Sequence, residues 1–203
     1  MSGLAQQRSE MRFFGAEAYI SGLKHAKRRV PKAEFAQMDA CRIPFVEEFD
    51  IIGAFDVLEH IMDDRKALQE THKALVPQGG IIITVPQHPW FWSKTDEISG
   101  HQRRYTRTEL REKVESAGFD ILLMTSFVSL LFPFMLTSRW IGMFIKNKNK
   151  SIPLSGIRLP KYVNTIFKNI CALELKLFKL NIRFPFGGSL ACVARKKDDA
   201  VMI

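Results

Sequence analysis

Two apolar stretches joined by a helical segment constrain the fold of this chain more than any other feature. Phe49–Ile61 reads FDIIGAFDVLEHI, and Leu75–Pro86 reads LVPQGGIIITVP. The residues between them have a helical pattern, with a capping aspartate at Asp63 or Asp64. A strand, a helix and a second strand in this order form a crossover unit, which implies parallel strands and a ligand crevice at their carboxyl ends.

Strand and helix patterns alternate along most of the chain, so the predicted fold class is α/β. The predicted strands are Met11–Glu17, Ala33–Met38, Phe49–Phe55, Ile81–Val85, Phe119–Thr125 and a closing strand within Arg183–Arg195. The predicted helices are Ala18–Arg29, a helix from Asp63 or Asp64 to Leu75, Arg107–Ala117 and Pro160–Leu180. The near-continuous apolar run of Phe49–Phe55 is typical of a strand that is buried on both faces.

The composition is that of an ordinary globular protein and predicts one domain, with 203 residues, 46% hydrophobic and 25% charged. The net charge of +9 indicates a basic surface that can attract nucleic acid, anionic lipid or an anionic substrate. A solvated basic surface explains this charge equally well. Cys41, Cys171 and Cys192 are widely separated, which favours reduced thiols in a cytoplasmic protein. No CxxC or Cys/His cluster suggests zinc, so no metal site is predicted.

Three carboxylates follow predicted strands at the edge where ligands bind in an open α/β sheet: Glu17, Asp39 and Asp56. An ionised carboxylate only accepts hydrogen bonds, so it suits a ribose diol or an adenine amine. Each residue alone is more often a helix cap or a surface acid. Their recurrence after successive strands favours a binding site.

The segment Val85–Leu110 follows the second strand of the crossover, so it can cover the mouth of the crevice. Trp and Tyr offer flat apolar area with a polar tip, and Arg offers a fork for phosphate or carboxylate. The candidate substrate-binding residues are Trp90, Trp92, Arg103, Arg104 and Tyr105. The alternative is that the aromatic residues pack in the core and the arginine pair lies in a solvated turn. His60, His88 and His101 are candidate catalytic bases because imidazole titrates near neutral pH.

Four segments in order resemble the motifs of class I S-adenosylmethionine-dependent methyltransferases of the type 11/12 kind: GAEAYISGLKHAKRR, FAQMDACRIPF, FDIIGAFDVLEHIMDD and LVPQGGIIITVP. The resemblance extends over Phe13–Thr125, with a weaker echo in the closing FGGSLACVARK. It implies a Rossmann-like sheet, mostly parallel with an antiparallel C-terminal strand, and S-adenosylmethionine as the cofactor. The Trp-rich loop and the run HQRRY are similar to those of a subset of this superfamily.

The resemblance also implies roles for residues at the carboxyl ends of the strands. Glu17 corresponds to the end of the second strand, where the family holds the ribose hydroxyls. Asp39 and Ala40 correspond to the residues beside the adenine. Phe55 and Asp56 correspond to the end of the fourth strand, near the methionine portion. The sulfonium of this cofactor is already activated, so the protein aligns the acceptor and, where needed, one of the three histidines removes its proton.

The chain departs from the family at its N-terminus. The family's first strand carries an acidic residue and a glycine-rich turn that lets the backbone approach the cofactor, and neither is visible here. In the family sheet this strand lies between the second and fourth strands, so its loss would expose two apolar edges or force a new pairing. The chain therefore resembles an N-terminally incomplete methyltransferase domain, which is a truncated product, a fragment or a degenerate non-catalytic form.

Residues 1–125 form the predicted partial methyltransferase core, residues 126–182 an apolar and basic helical insertion, and residues 183–203 a closing strand and tail. Ser126–Ile145 is long enough for a transmembrane helix, but Pro133 and Arg139 favour a lid or docking to a membrane surface. This segment and the basic helix after it suggest peripheral contact with an anionic membrane and a lipid-like acceptor. A small-molecule acceptor is equally open. The alternative function is partner or membrane binding without turnover, and a nucleic-acid acceptor is disfavoured because no Asn-Pro-Pro-Tyr-like motif follows the fourth strand.

Overall fold

The computed structural model describes residues 10–137 and 161–197. Its strands are β1 (Phe14–Glu17), β2 (Glu34–Gln37), β3 (Phe49–Phe55), β4 (Leu75–Pro86), β5 (Phe119–Phe127) and β6 (Ser189–Lys196). Its helices are α1 (Ile20–Arg29), α2 (Asp64–Ala74), α3 (Lys94–Ile98), α4 (Arg107–Ser116) and α5 (Lys161–Lys179). All the predicted elements are present, with shifted ends, and only the short α3 has no counterpart in the sequence analysis. The α/β class is confirmed.

The strands form two separate sheets. β1 and β2 pair in parallel, and the other four strands lie in the order β3-β4-β6-β5. β3 and β4 are parallel, while β6 runs antiparallel between β4 and β5, which confirms the antiparallel C-terminal strand. The ring of Phe14 contacts those of Phe45 and Phe49, with centroids 5.3 Å and 5.6 Å away, and connects the two sheets.

The hydrophobic core combines β4 and β6 with one face each of α2 and α4. Its fully buried members include Leu68, Ile83, Val85, Leu110, Val114, Leu190 and Cys192. Side-chain caps set the starts of both helices. Asp63 accepts a hydrogen bond from Lys66 N at 3.0 Å, and Thr106 accepts one from Glu109 N at 3.1 Å. Both caps are those that the sequence predicts, because a side-chain oxygen satisfies a free N–H of the first turn.

The prediction that β3 is buried on both faces is wrong. No residue of β3 is fully buried. Ile51 is 59% exposed and Phe55 is 48% exposed. β3 pairs only with β4 and forms an edge of the four-stranded sheet. Within residues 10–137 and 161–197, no strand lies between β3 and β1. Apolar side chains that a central strand would bury therefore meet the solvent.

β4 begins earlier than the sequence predicts. Leu75 directly follows α2, and Pro77–Gly80, expected as a break before the strand, forms an irregularity inside it. The pairing advances two residues on β3, from Phe49 to Ile51, but five residues on β4, from Leu75 to Gly80. This bulge absorbs the extra residues, and regular pairing then carries β4 to the carboxyl edge of the sheet.

Helix α5 supports the chain after β5. Its Glu174 is 4% exposed and accepts hydrogen bonds from the backbone N–H groups of Ser129 and Leu130 at 2.9 Å and 3.2 Å. Residues 132–137 are helical, whereas the remainder of the apolar segment, residues 138–145, lies outside the described residues. No helix in the described part of the chain is long and apolar enough to cross a membrane. The division of the chain at residues 125 and 182 stays a prediction.

Candidate functional site

Residues 87–105, the covering loop, leave the carboxyl end of β4 and return to it. Tyr105 N donates to Pro86 O at 2.9 Å, and His88 N donates to Tyr105 O at 3.0 Å, so the two ends of the loop are joined. Farther along, Gln102 N donates to Glu59 O at 2.7 Å. The covering loop is thus fastened to the turn that follows β3, at the edge where the crevice of an α/β sheet forms.

Asp96 holds the covering loop together. The residue is 1% exposed and accepts hydrogen bonds from Arg104 Nε, Ser93 N and Ser93 Oγ, each at 2.8 Å. His101 Nδ1 lies 3.0 Å from Asp96 Oδ1, and Arg104 also donates to Gln87 O at 3.1 Å. Burial acts to raise the pKa of Asp96, but the hydrogen bonds and charge of Arg104 with those of Ser93 and His101 bring it below its ordinary value. Asp96 is therefore an ionised, buried hub.

Asp64, a second buried carboxylate, anchors the end of the covering loop. Its Oδ2 accepts hydrogen bonds from Lys113 Nζ at 2.6 Å and Tyr105 OH at 2.7 Å, and lies 2.8 Å from Arg103 Nη1. Burial acts to raise the pKa of Asp64, but the bonds from Lys113 and Tyr105 and the charge of Arg103 outweigh it and lower the pKa. Helices α2 and α4 are thereby joined to the loop through one carboxylate.

The predicted substrate-binding residues divide into two groups. Arg104 and Tyr105 are buried, and with Arg103 they hold the covering loop through the two aspartates. Trp90 and Trp92 are 65% and 39% exposed, so their rings are available at the surface. Substrate contact by any of the five stays a prediction.

The three predicted bases lie in two places. The ring centroids of His60 and His101 are 4.8 Å apart in an edge-to-face arrangement, although the residues are distant in sequence. Asp96 orients His101 by contacting its Nδ1. His88 lies elsewhere, with its ring 5.1 Å from that of Trp90, and burial lowers its pKa. Only the His60–His101 pair adjoins the turn after β3.

Glu59 lies beside this histidine pair. One carboxylate oxygen of Glu59 and one ring nitrogen each of His60 and His101 lie within 4.8 Å of one another. Glu59 is 1% exposed, and its Oε2 has no hydrogen-bond partner among the described residues. Burial, with the charge of Asp56 as a smaller contribution, raises the pKa of Glu59 to about 7.

The predicted cofactor-binding residues lie at the carboxyl ends of strands in both sheets: Glu17, Asp39, Ala40, Phe55 and Asp56. Asp56 adopts a left-handed backbone conformation, with φ of 52°. Thr84 fixes it, because the Asp56 N–H donates to Thr84 O at 3.0 Å and Thr84 Oγ1 donates to Asp56 Oδ1 at 3.1 Å. The loop after β2 reaches the start of α2, where Cys41 Sγ donates to Asp63 O at 3.5 Å. The candidate cofactor residues therefore span the two sheets rather than one.

Comparison with known proteins shows a similarity to methyltransferases over part of the chain. The profile of the family described as "Methyltransferase domain" matches residues 2–83. A probable S-adenosylmethionine-dependent methyltransferase from Mycolicibacterium smegmatis is 25% identical over 113 residues, which cover 54% of this chain and 44% of that protein. Residues 2–83 therefore match a methyltransferase family, and the curated relatives over this part of the chain are S-adenosylmethionine-dependent methyltransferases. S-adenosylmethionine is the cofactor of this family, and the chain spans less than half the length of the curated methyltransferases that it matches.

Solved methyltransferase structures share the Rossmann-like fold. A methyltransferase from Archaeoglobus fulgidus superimposes with a TM-score of 0.58 at 17% identity, covering 96% of this chain and 80% of that one. Phosphoethanolamine N-methyltransferase 2 from Haemonchus contortus, solved with S-adenosylmethionine, gives a TM-score of 0.56 at 17% identity, covering 97% of this chain and 46% of that one. At these identities the likeness shows the fold alone.

Three residues of the candidate site have roles that the sequence does not predict. Asp96 has a usable signal, since it stands three residues after Ser93 and forms a capping box at the start of α3. No sequence signal marks Glu59, because it comes together with His101 only when the covering loop docks. Asp64 is predicted only as a possible helix cap, and its contacts with Tyr105 and Lys113 depend on the folded path of the covering loop.

Proposed function

We propose that this chain is an S-adenosylmethionine-dependent methyltransferase that acts on a small-molecule or lipid-like acceptor. The observation that carries the proposal is the covering loop, which Asp96 and Asp64 fasten over the carboxyl ends of β3 and β4. Trp90 and Trp92 offer exposed aromatic surface on that loop. A ligand held there would be aligned and shielded from water, which is most of what methyl transfer from an activated sulfonium requires.

The cofactor roles in this proposal follow the family resemblance. Glu17 would bind the ribose, Asp39 and Ala40 the adenine, and Phe55 and Asp56 the methionine portion. Asp56 has the strongest support, because Thr84 holds both its backbone N–H and its carboxylate. A carboxylate that is oriented before the ligand arrives loses less entropy on binding.

An acceptor that carries a proton must lose it during transfer. His60 lies in the turn after β3, which begins at Asp56, and the ring of His101 lies 4.8 Å from that of His60. His88, near the start of the covering loop, is packed against the rings of Trp90 and Phe132. We therefore assign acceptor activation to the His60–His101 pair rather than to His88.

Isothermal titration calorimetry with S-adenosylhomocysteine tests the cofactor site. We expect wild-type protein to bind, and Asp56→Asn to bind at least about tenfold more weakly, since a hydrogen bond to a charged group is worth about 1.5–3 kcal/mol. Asn tolerates the left-handed backbone of this position, so the fold is preserved. Asp120→Asn, an exposed carboxylate on β5, is the matched control and should bind like wild type. No heat at millimolar ligand would rule out an intact cofactor site.

The outer face of α5 supports a lipid-like acceptor reached from a membrane surface. Tyr162, Ile166 and Leu173 fall on one stripe of the helix and are 69%, 53% and 51% exposed. The exposed, described charges of α5 are all lysines: Lys168, Lys176 and Lys179. Its acidic residue, Glu174, is buried. An apolar stripe on a helix whose exposed, described charges are all cationic suits an anionic lipid surface.

Co-sedimentation with vesicles of anionic and of neutral phospholipid tests this contact. We expect binding to anionic vesicles that falls at high salt and is lost in Ile166→Glu/Leu173→Glu. Phe132→Ala is the control, because Phe132 is buried against His88 and Phe91. It should lower the melting temperature and leave vesicle binding unchanged. Equal vesicle binding by wild type and the double variant would refute the membrane contact.

The second candidate function is partner or membrane binding without methyl transfer. The exposed edge of β3 favours it, because the predicted cofactor residues on β1–β2 and on β3 then belong to sheets that do not pair. The two functions separate in the experiments above. Vesicle binding without S-adenosylhomocysteine binding would support the non-catalytic function.

A further inference from the structure

One group of potential metal ligands consists of Glu59, His60 and His101, here called the EHH cluster. No local sequence pattern predicts this group. Their ligand atoms lie within 4.8 Å of one another. The hydrogen bond from Gln102 N to Glu59 O fixes the backbone of the covering loop next to that of the turn after β3. The three side chains are therefore brought together by folding of the whole site.

The carboxylate of Glu59 is the unusual member of the EHH cluster. It is 1% exposed, yet its Oε2 has no hydrogen-bond partner among residues 10–137 and 161–197. Leaving a buried polar atom unpaired is costly, and most such atoms in proteins have a partner. Asp56 adds a second negative charge close by. A cation bound between Glu59 and the histidines would give the buried carboxylate a partner and would offset the negative charges of Glu59 and Asp56.

The surroundings of His101 match those of a metal ligand. Its Nδ1 contacts the buried carboxylate of Asp96 at 3.0 Å, which leaves Nε2 as the free nitrogen. Histidines that bind metals commonly donate their other ring N–H to a carboxylate, which fixes the tautomer and the ring orientation. His60 is exposed and can rotate towards its partners.

We propose that the EHH cluster binds a divalent transition metal such as zinc. Two imidazoles and one carboxylate form a common zinc ligand set, and they leave a fourth position open. Bonds of about 2.0–2.2 Å in a tetrahedral site place ligand atoms about 3.5 Å apart. Rotation of the exposed His60 side chain would shorten the observed spacing, while Asp96 holds His101 in place. The absence of cysteine in the cluster disfavours a purely structural zinc site.

The position of the EHH cluster relates it to the proposed methyl transfer, although metal binding does not depend on that function. It adjoins Asp56 and lies at the edge of the sheet that the covering loop covers. A metal ion at an open site would lower the pKa of a bound hydroxyl, so the His60–His101 pair would activate an oxygen acceptor by holding the ion, and the hydroxyl proton would pass to solvent. The substrate class that this favours is an acceptor with a hydroxyl group.

Metal titration of chelator-treated protein tests the proposal without cofactor or acceptor. We expect one equivalent of Zn²⁺ to bind by calorimetry, and one equivalent of Co²⁺ to give the ligand-field absorption of a low-coordinate site. His60→Ala and Glu59→Gln should each weaken Zn²⁺ binding about a hundredfold or more, because even outer-shell changes cost about 10- to 100-fold. His60 is exposed, so its replacement is not expected to disturb the fold. His25→Ala, an exposed histidine on α1, is the matched control and should bind Zn²⁺ like wild type.

Zn²⁺ binding that is equal in wild type, His60→Ala and Glu59→Gln would overturn the proposal and indicate adventitious binding elsewhere. The absence of stoichiometric binding by wild type would overturn it as well. Titration of the same proteins with S-adenosylhomocysteine keeps this result separate from the proposed function. Metal binding without cofactor binding would support the metal site alone.

Discussion

Removing the carboxylate of Asp96 is the sharpest perturbation of the candidate site. In Asp96→Ala, Arg104 keeps its hydrogen bond to Gln87 O but loses its ionic partner. The Arg104 side chain is 7% exposed, so its charge would stay buried and largely uncompensated. Ser93 and His101 lose an acceptor in the same change.

The expected loss is large because one partner of a buried ion pair is left behind. Breaking such a pair costs about 3–5 kcal/mol of unfolding free energy. With a urea dependence of about 2 kcal/mol per molar, the unfolding midpoint falls by about 1.5–2.5 M. Asp120→Ala removes an exposed carboxylate that lies 3.6 Å from Lys197, and should change stability by less than about 0.5 kcal/mol.

Urea unfolding of a double-mutant cycle isolates the cause. Arg104→Met keeps an apolar side chain against the Phe91 ring, which Arg104 now covers at 5.3 Å. The loss in Asp96→Ala is attributed to the guanidinium that remains buried without an ionic partner. If this is the cause, the double variant Asp96→Ala/Arg104→Met should lose less unfolding free energy than the two single variants lose in sum. We expect a coupling of about 1.5 kcal/mol or more. Additive losses, or an Asp96→Ala midpoint equal to wild type, would refute the reasoning.

Two further predictions concern the scaffold around the site. The pKa of Asp64 is lower in the folded protein than its ordinary value of 3.8, so its charge stabilises the fold above that pH and this contribution is lost as the pH falls through the folded pKa. The stability gap between wild type and Asp64→Asn, measured by urea unfolding, should therefore be full at neutral pH and shrink below about pH 4; a gap that persists unchanged at lower pH contradicts this. A Cβ at Gly187 would clash with Phe127 O and lie 2.8 Å from Ser129 Oγ, so Gly187→Ala should cost about 1–3 kcal/mol in thermal unfolding. Gly80→Ala, whose Cβ would meet only Ala194 O at 3.6 Å, should cost less; equal losses would count against the steric explanation.

Local patterns predict the elements of this fold well because the forces that set them are local. The caps at Asp63 and Thr106 act within one helical turn, so they are readable from neighbouring residues. The exposure of β3 is a different kind of property. An apolar run such as Phe49–Phe55 shows what a strand could bury, but its burial depends on which strands flank it.

The candidate site also combines features that local sequence predicts with contacts that depend on the folded chain. The sequence predicts His88, His101 and the arginine pair because chemically active residue types concentrate after β4, and it predicts His60 because this residue follows β3. It does not predict the ion pair between Arg104 and Asp96, or the contact between the rings of His60 and His101. Those contacts depend on the path of the covering loop, which a few long-range hydrogen bonds determine, such as the one from Gln102 N to Glu59 O.

The two halves of the proposed site differ in how firmly they are held. The acceptor side rests on buried carboxylates, Asp96 and Asp64, each with several charged or hydrogen-bonded partners. The cofactor residues lie on two sheets that contact through the Phe14 ring, and Cys41 bonds the loop after β2 to the start of α2. A cofactor that touched both Glu17 and Asp56 would have to fix one sheet against the other, and the entropy lost in doing so would reduce its affinity. A group that packed on the exposed edge of β3 should therefore change the cofactor affinity most. The geometry of the covering loop should not respond to such a group.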